Sequence, residues 1–381
     1  MLRPVIVLTL SSLSGAALAQ TPEAALTDSW AALCAGAASG SDLSQRCAEI
    51  FTGGPGSRSN AAVGNFLDEI PGQGRSSTRD GAAELGTVRE SIAANVSIFA
   101  SVDVGRLDRD DSPNEAAFSG DTWSATAGVD WAPTPAWLLG AALNHSQETL
   151  DYDNSGGSSR GRYTGLIGYF SWNVAPNLSL DGYAGRLDGS NELRRAIDFT
   201  LLSGTNVSAL ATASPDSTRT LSGLGLSWSL PHGAWQWQLG VGVDWMKTRL
   251  ESYSESGGEG LALNVPTREI VTRRGRVDLG LGHTVLTNWG VWQPQLRIGW
   301  RHEFANVSRA LSVSFAGDAN ATPITFATED PDKGWGEVAL SSVFTFTHGH
   351  SAFVEYRQRF GHEFLQERVL ALGWRMELGS K

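Results

Sequence analysis

The sequence predicts an all-β fold, a twelve-stranded antiparallel barrel, and two observations support this prediction. In residues 235–245 every odd position is apolar and every even position is polar or glycine. Successive side chains of a strand point to opposite faces, so this run has one apolar face, with a tryptophan at each end, and one polar face. The same period of two then recurs at regular intervals along residues 97–378.

An outer-membrane barrel accounts for this pattern better than a soluble sandwich does. About 10 tilted residues cross the hydrocarbon layer, which the 235–245 run can do. Its apolar face would meet lipid, its tryptophans would lie at the two interfaces, and its polar face would line a wet lumen. The chain has 14 Trp and 44 Gly, and after residue 20 no apolar run has the length of a membrane helix. The net charge of −11 argues against nucleic acid as a partner.

The first twenty residues predict export. Arg3 gives a positive start, residues 5–10 are apolar, and Ala17-Leu18-Ala19 before Gln20 is a small-residue cleavage site. This order is typical of a secretory signal peptide. We therefore expect residues 1–20 to be a signal peptide and the mature chain to lie beyond the inner membrane.

Residues 21–80 are predicted to be a short helical region followed by a linker. Helical spacing places Leu26, Trp30 and Leu33 on one face, and Leu43, Cys47 and Ile50 on another. Cys34 and Cys47 are the two cysteines, and in an exported protein a disulfide between them is the simplest interpretation. Two free thiols or a metal site are the alternatives. Residues 53–81 are rich in Gly, Ser, Pro and Arg, which is typical of a linker.

Residues 81–96 are predicted to form one helix directly before the barrel. Leu85, Val88, Ile92 and Val96 recur at spacings of three and four. A helix at this place can lie inside the pore, or it can lie in the periplasm beside the mouth of the barrel.

Residues 97–378 contain twelve predicted strands, an even number that returns both ends of the barrel to the periplasm. Short connections, such as those at residues 132–135 and 231–234, alternate with mostly longer polar ones, such as residues 200–216, 252–267 and 306–333. Short periplasmic turns and long outer loops are typical of outer-membrane barrels. The predicted strands are 97–106, 122–132, 137–150, 161–173, 178–198, 217–230, 235–250, 268–286, 291–305, 334–347, 351–360 and 366–378.

Charged residues at alternate positions of the later strands are predicted to line the lumen. Such charges are costly toward lipid and tolerable toward water. Their mixed signs indicate ion pairs across the interior, without a catalytic task. The residues expected to line the lumen are Arg274, Arg276, Asp278, Arg297, Arg301, Glu303, Glu355, Arg357, Arg359 and Arg375.

From about residue 119 to residue 378 the chain resembles the translocator β-domain of the autotransporter, or type V secretion, family. The segments that carry the resemblance are Gly128-Val129-Asp130-Trp131 and residues 165–170, 293–304, 353–357 and 370–375. The resemblance implies a monomeric pore in the bacterial outer membrane, inserted by the barrel-assembly machinery after periplasmic chaperones have carried the chain. It also implies a helix inside the pore, which would be residues 81–96, and export of the short N-terminal passenger.

Catalytic and metal-binding patterns were sought against this background. Residues 21–80 contain no histidine and no G-x-S-x-G, which argues against a hydrolase there. His145 with Glu148 and Asp151, or His302 with Glu303, could form an acid–base set at the barrel rim. Asn95 could serve in cleavage of the passenger, although a capping or lumen-facing role suits it better. Aspartates at 108–111 and 330–332 could bind calcium between loops, although solvated loop charges are the commoner explanation.

The expected function is therefore transport, without an enzymatic activity or a cofactor. The barrel would translocate or display its short N-terminal segment at the cell surface. The alternative is a porin-like channel or a surface-interaction barrel, of the adhesin type, whose N-terminal segment stays in the periplasm.

Overall fold

The structure, a computed structural model, describes residues 34–44, 47, 96–112, 116–134, 136–153, 156–200, 205–305, 311–326, 332–346 and 350–378. The predicted signal peptide, most of region 21–80 and residues 81–95 of the predicted helix lie outside these residues. Within the part of the chain that the structure describes, no helix has the length and apolar character needed to span a membrane.

Twelve long strands form the body of the molecule, and each one corresponds to a predicted strand. They are β1 (Val96–Arg109), β2 (Phe118–Thr134), β3 (Trp137–Tyr152), β4 (Gly157–Ala175), β5 (Leu178–Thr200), β6 (Asp216–His232), β7 (Trp235–Leu250), β8 (Arg268–His283), β9 (Gly290–Glu303), β10 (Gly334–Phe346), β11 (His350–Phe360) and β12 (Leu365–Leu378).

The strands close into a barrel in which every neighbouring pair is antiparallel. Each strand pairs with the next along the chain, and β1 pairs with β12 in an unbroken register from Val96↔Leu378 to Arg109↔Leu365. The predicted all-β, twelve-stranded fold is confirmed. One detail differs: the predicted strand 268–286 ends at His283, and Val285–Thr287 forms a separate short strand against β9.

Along the middle of each strand the side chains alternate between a more exposed and a less exposed face. In β7 the exposed face carries Trp235, Trp237, Leu239, Val241 and Val243, whose exposed fractions are 43–57%. Apolar side chains on the outside of a closed barrel suit contact with lipid, and the opposite face points into the lumen.

Glycines make room for aromatic rings on the lumen face. A Cβ atom at Gly140 would lie 2.1 Å from the ring of Tyr169, its cross-strand partner on β4. Phe353 lies over Gly373 in the same way, at 2.1 Å. The many glycines of the chain thus allow a few large rings to fill the interior close to the wall.

The outer connections differ from the expectation of polar loops. The predicted loop after residue 150 is a short turn at 153–156, because β3 and β4 extend further than predicted. Strand Asn206–Ala213 folds back on β5 as a hairpin. The long connections between β7 and β8 and between β9 and β10 build a four-stranded sheet from Tyr253–Ser254, Leu263–Val265, Leu311–Phe315 and Ile324–Phe326. We call this the loop sheet.

Candidate functional site: the lumen and its outer mouth

One side of the lumen is lined by ion pairs between strands that are adjacent or one strand apart. Arg301 on β9 contacts Asp278 on β8 at 2.6 Å and Glu337 on β10 at 2.9 Å. Arg297 contacts Glu355 on β11 at 3.0 Å. These five side chains are between 5% and 29% exposed, so the charges lie inside the barrel and neutralise one another.

The ten charged residues predicted to line the lumen all lie on the strand face opposite the exposed apolar side chains. Arg276 lies 3.9 Å from Asp244, and Arg274 lies 4.0 Å from Glu303. The period of two gave the face of each residue, but it gave neither the pairs nor the carboxylate partners Asp244 and Glu337.

A second group of polar residues crosses the seam between the first and last strands. Arg375 on β12 donates to Ser97 Oγ on β1 at 2.7 Å and lies 3.1 Å from Asp130 on β2. Tyr169 donates a further hydrogen bond to Asp130 from the far side. Asp130 is therefore shared by the seam and by β4, a role that sequence reasoning missed because its signal was only an inward position in β2.

Near the outer end, Trp335 lies between two arginines. The guanidinium carbons of Arg274 and Arg359 are 4.8 Å and 5.0 Å from its ring centroid. Arg359 also contacts Glu367 on β12 at 2.6 Å. Cations over an indole face gain from its quadrupole, most of all where water is excluded.

The outer mouth is filled by one apolar cluster. Barrel residues from β1, β2, β3 and β5 meet residues of the loop sheet, which reaches across from the β7–β10 side. The buried members are Leu43, Cys47, Leu107, Phe118, Leu150, Tyr152, Leu193, Leu263, Val265, Leu311, Val313, Phe315, Ile324 and Phe326. Burial of this many apolar side chains stabilises the sheet against the barrel wall.

A buried ion pair fixes the β7–β8 connection to the wall. Arg195 on β5 donates to both carboxylate oxygens of Glu255, at 3.0 Å and 2.5 Å, and the two side chains are 4% and 1% exposed. Arg195 also donates to the Leu261 carbonyl at 2.8 Å, while the Leu263 N–H donates to Glu255 at 2.9 Å. The bidentate geometry and the added hydrogen bonds are what a desolvated pair requires.

The N-terminal segment 34–44 and Cys47 lie in this same mouth. Cys34 is bonded to Cys47. Ala37 forms an antiparallel bridge with Asp318, next to the loop sheet, and the Ala319 N–H donates to the Gly36 carbonyl at 3.1 Å. Leu43 is 1% exposed within the apolar cluster.

Asp318 holds the loop in the shape that this bridge requires. Its carboxylate accepts hydrogen bonds from the N–H groups of Asn320 at 2.9 Å and Thr322 at 2.7 Å. Burial opposes ionisation, but the hydrogen bonds from Thr322 and Asn320 outweigh it and hold the pKa of Asp318 below its usual value.

The candidate acid–base sets are not assembled. His145 points outward and shares a hydrogen bond of 2.7 Å with Thr164, whereas Glu148 is on the buried lumen face. His302 is exposed against Phe304, with ring centroids 4.8 Å apart, and Glu303 points to the opposite face. Alternation places Glu148 and Glu303 on the faces opposite His145 and His302, and Asp151 shares the outward face of His145 but lies six residues further along the strand.

Two of the candidate calcium ligands have other partners. Asp108 contacts Arg106 at 3.1 Å, and Asp332 accepts a hydrogen bond from the Glu363 N–H at 2.6 Å. No cluster of three or more metal-ligating side chains occurs among the residues that the structure describes. Asn95 and Asp330 lie outside them.

A family model, the autotransporter beta-domain, matches residues 98–357. The chain belongs to this family. No curated protein matches the chain. Among solved structures, the autotransporter barrel aligns with the translocator domain of NalP from Neisseria meningitidis at a TM-score of 0.62 and 12% identity, covering 79% of this chain and 94% of that one.

Two further autotransporter structures show the same fold. The beta domain of the Bordetella autotransporter BrkA aligns at a TM-score of 0.55 and 17% identity, covering 74% of this chain and 100% of that one. The transport unit of AIDA-I from Escherichia coli aligns at a TM-score of 0.51 and 11% identity, covering 83% and 96%. The chain is thus an autotransporter barrel of the bacterial outer membrane, and its exposed apolar face suits contact with lipid.

Proposed function

We propose that this autotransporter moves its own short N-terminal segment through the barrel and displays it at the cell surface. One observation carries the proposal. The segment 34–44 lies among the long outer connections, whereas β1 begins at Val96 beside Trp131 and Leu378, at the end of the barrel that carries the short turns. Short turns mark the periplasmic end.

The chain between residue 47 and Val96 therefore joins opposite ends of the barrel. A route along the outside would place backbone groups in hydrocarbon without partners, at several kcal/mol for each group. The lumen offers polar partners along its length, so it is the physically acceptable path. The expected helix at 81–95 would then lie within the pore.

The remaining expectations fit this route and are proposed with it. Residues 1–20 direct export, residues 21–80 are the passenger and linker, and residues 81–95 are the pore segment. The expected boundary at 96/97 moves by one residue, because Val96 already belongs to β1, so residues 96–378 are the barrel. Periplasmic chaperones and the barrel-assembly machinery bring the monomeric barrel into the membrane, where it acts in transport without catalysis or cofactor.

The test is the exposure of an epitope inserted between Ser39 and Gly40, an exposed turn in which Gly40 has φ +79. Matched controls carry the same epitope in the short turn at Gly233 and in the outer turn at 153–156. On intact cells we expect external protease to remove the epitope at 39–40 and at the outer turn, and to leave the epitope at Gly233 intact.

Protection of the 39–40 epitope until the outer membrane is permeabilised, together with cleavage at the outer turn, would contradict export. The porin-like or surface-interaction alternative, with a periplasmic N-terminal segment, would then account for the result.

A further inference from the structure

We propose that segment 34–44, joined by its disulfide to Cys47, is a lid that stays seated on the outer mouth, with the loop sheet as its binding surface. The inference deepens the proposed function and rests on it: the displayed segment is not a free ligand on a tether but the closure of its own pore. The mouth is thus occupied by a segment of the same chain, which is held by backbone contacts with the Asp318 loop and by apolar contacts with the cluster in the mouth.

Backbone pairing fixes the position of the lid. Ala37 and Asp318 form the antiparallel bridge, and the Ala319 N–H donates to the Gly36 carbonyl at 3.1 Å. A Cβ atom at Gly36 would lie 2.1 Å from the Asp318 carboxylate, so the Asp318 side chain packs directly against Gly36, in the space that any larger residue would fill. A passenger that merely rested near the mouth would not need such an approach.

Apolar burial fixes the lid from below. Leu43 is 1% exposed and Cys47 is 7% exposed, and both belong to the cluster formed by the loop sheet and the barrel wall. A Cβ atom at Gly260 would lie 2.5 Å from the Leu43 backbone nitrogen, and one at Gly317 would lie 3.0 Å from Leu43 Cβ. Two outer loops therefore have a glycine, without a side chain, where they contact Leu43 of the lid.

The disulfide restrains the segment that carries these contacts. It joins Cys34, three residues before the bridge at Ala37, to Cys47, four residues after Leu43. Closing this loop in the free segment reduces the conformations it must lose on docking. The lid should therefore dock when it is oxidised and leave the mouth more readily when it is reduced.

The test measures whether the segment stays on the barrel after its covalent link is cut. A protease site with flexible flanks is inserted after Ser57 in the full chain, with an affinity tag before Thr21, and the folded protein is purified in mild detergent. Cleavage is followed on denaturing gels, barrel folding is followed by heat-modifiable migration, and release of the tagged fragment is timed by size-exclusion chromatography.

We expect the wild-type fragment to remain with the barrel after complete cleavage. Leu43→Asp, which brings a charge into the apolar cluster, should release the fragment at least about tenfold faster. The matched control Ala38→Asp places the same charge at an exposed position of the same segment and should not change release. Cys34→Ser combined with Cys47→Ser should also speed release.

A second variant acts from the barrel side and leaves the segment intact. Gly317→Val should displace Leu43 and release the fragment at a rate near that of Leu43→Asp. If the wild-type fragment leaves as fast as the Leu43→Asp fragment, or if Ala38→Asp and Leu43→Asp behave alike, the lid is refuted.

The outcome for the lid is separable from the outcome for export. Docking in detergent does not depend on the route taken in the cell, whereas the epitope at 39–40 reports only the side of the membrane. A surface-exposed epitope with a freely released fragment would refute the lid and retain display, and a retained fragment with a protected epitope would refute display.

Discussion

Replacement of Glu255 by Gln would leave the Arg195 guanidinium buried without its counter-charge. Both side chains are almost fully buried, and the pair is bidentate at 2.5 Å and 3.0 Å. Removing one partner of such a pair costs about 3 to 5 kcal/mol, because the remaining charge stays desolvated. The cost falls on the loop sheet and not on the barrel, because Glu255 belongs to the connection between β7 and β8.

Amide hydrogen exchange measures this local opening. The reporters are the N–H of Glu255, which donates to the Leu263 carbonyl, and the N–H of Ala316, which donates to the Ala262 carbonyl, each at 2.8 Å. A loss of about 3 to 5 kcal/mol corresponds to exchange about 10² to 4 × 10³ times faster at these sites. Amides of the barrel strands should keep their protection.

The same connection provides a matched control. Arg249 and Glu251 form an ion pair of 2.9 Å, but both side chains are about half exposed. Glu251→Gln should therefore change exchange by less than about threefold. A double variant, Arg195→Met with Glu255→Leu, removes both charges and should recover most of the protection. If Glu255→Gln accelerates exchange no more than Glu251→Gln does, the buried pair does not hold the loop sheet.

Two further predictions concern the lipid face and the outer rim. Val241→Arg, near the middle of the lipid face of β7, should lower the unfolding free energy in lipid vesicles by about 2 to 4 kcal/mol. Gln238→Arg, on the lumen face, should change it by less than about 1 kcal/mol. Equal losses in the two variants would contradict the assigned faces. Burial, with help from Arg359, lowers the pKa of His362 from 6.5 to about 4, although Asp332 opposes the shift. The Leu365 amide donates a hydrogen bond to His362 Nδ1, which requires the neutral ring. Protection of this amide against exchange should therefore hold above about pH 6.5 and decline as the pH falls toward 4. Exchange corrected for its intrinsic pH dependence checks this, and His362→Gln should remove the pH effect; a wild-type profile that stays flat between pH 7 and 4 would disprove it.

The barrel strands could be predicted because each one is long enough for its alternation to be unambiguous. Strand β7 shows it over its whole first half, with Trp235 and Trp237 outside and Gln236 and Gln238 inside. The loop sheet could not be predicted in the same way. Leu263–Val265 and Ile324–Phe326 also alternate, but three residues do not distinguish a strand from a loop, and their partners are far apart in the chain.

For the ion pairs of the lumen, the face of each residue could be predicted from its own strand, but its partner could not. Alternation in β12 places Arg375 inside, and alternation in β2 places Asp130 inside. Their contact depends on the closure of β12 on β1, which sets the register of strands at opposite ends of the sequence. A face is a property of one strand, whereas an ion pair requires the register of the whole barrel.

The apolar cluster in the outer mouth contains residues from three parts of the chain, and this sets the order in which it can form. Leu107 and Phe118 come from the barrel wall, Phe315 and Ile324 from the loop sheet, and Leu43 from the N-terminal segment. Under the proposed export route, the first four can come together as soon as the barrel closes, but Leu43 reaches them only after its segment has crossed the lumen. The cluster would then complete itself as the last step of transport, and the burial of Leu43 would oppose retraction by the same apolar contacts that seat the lid.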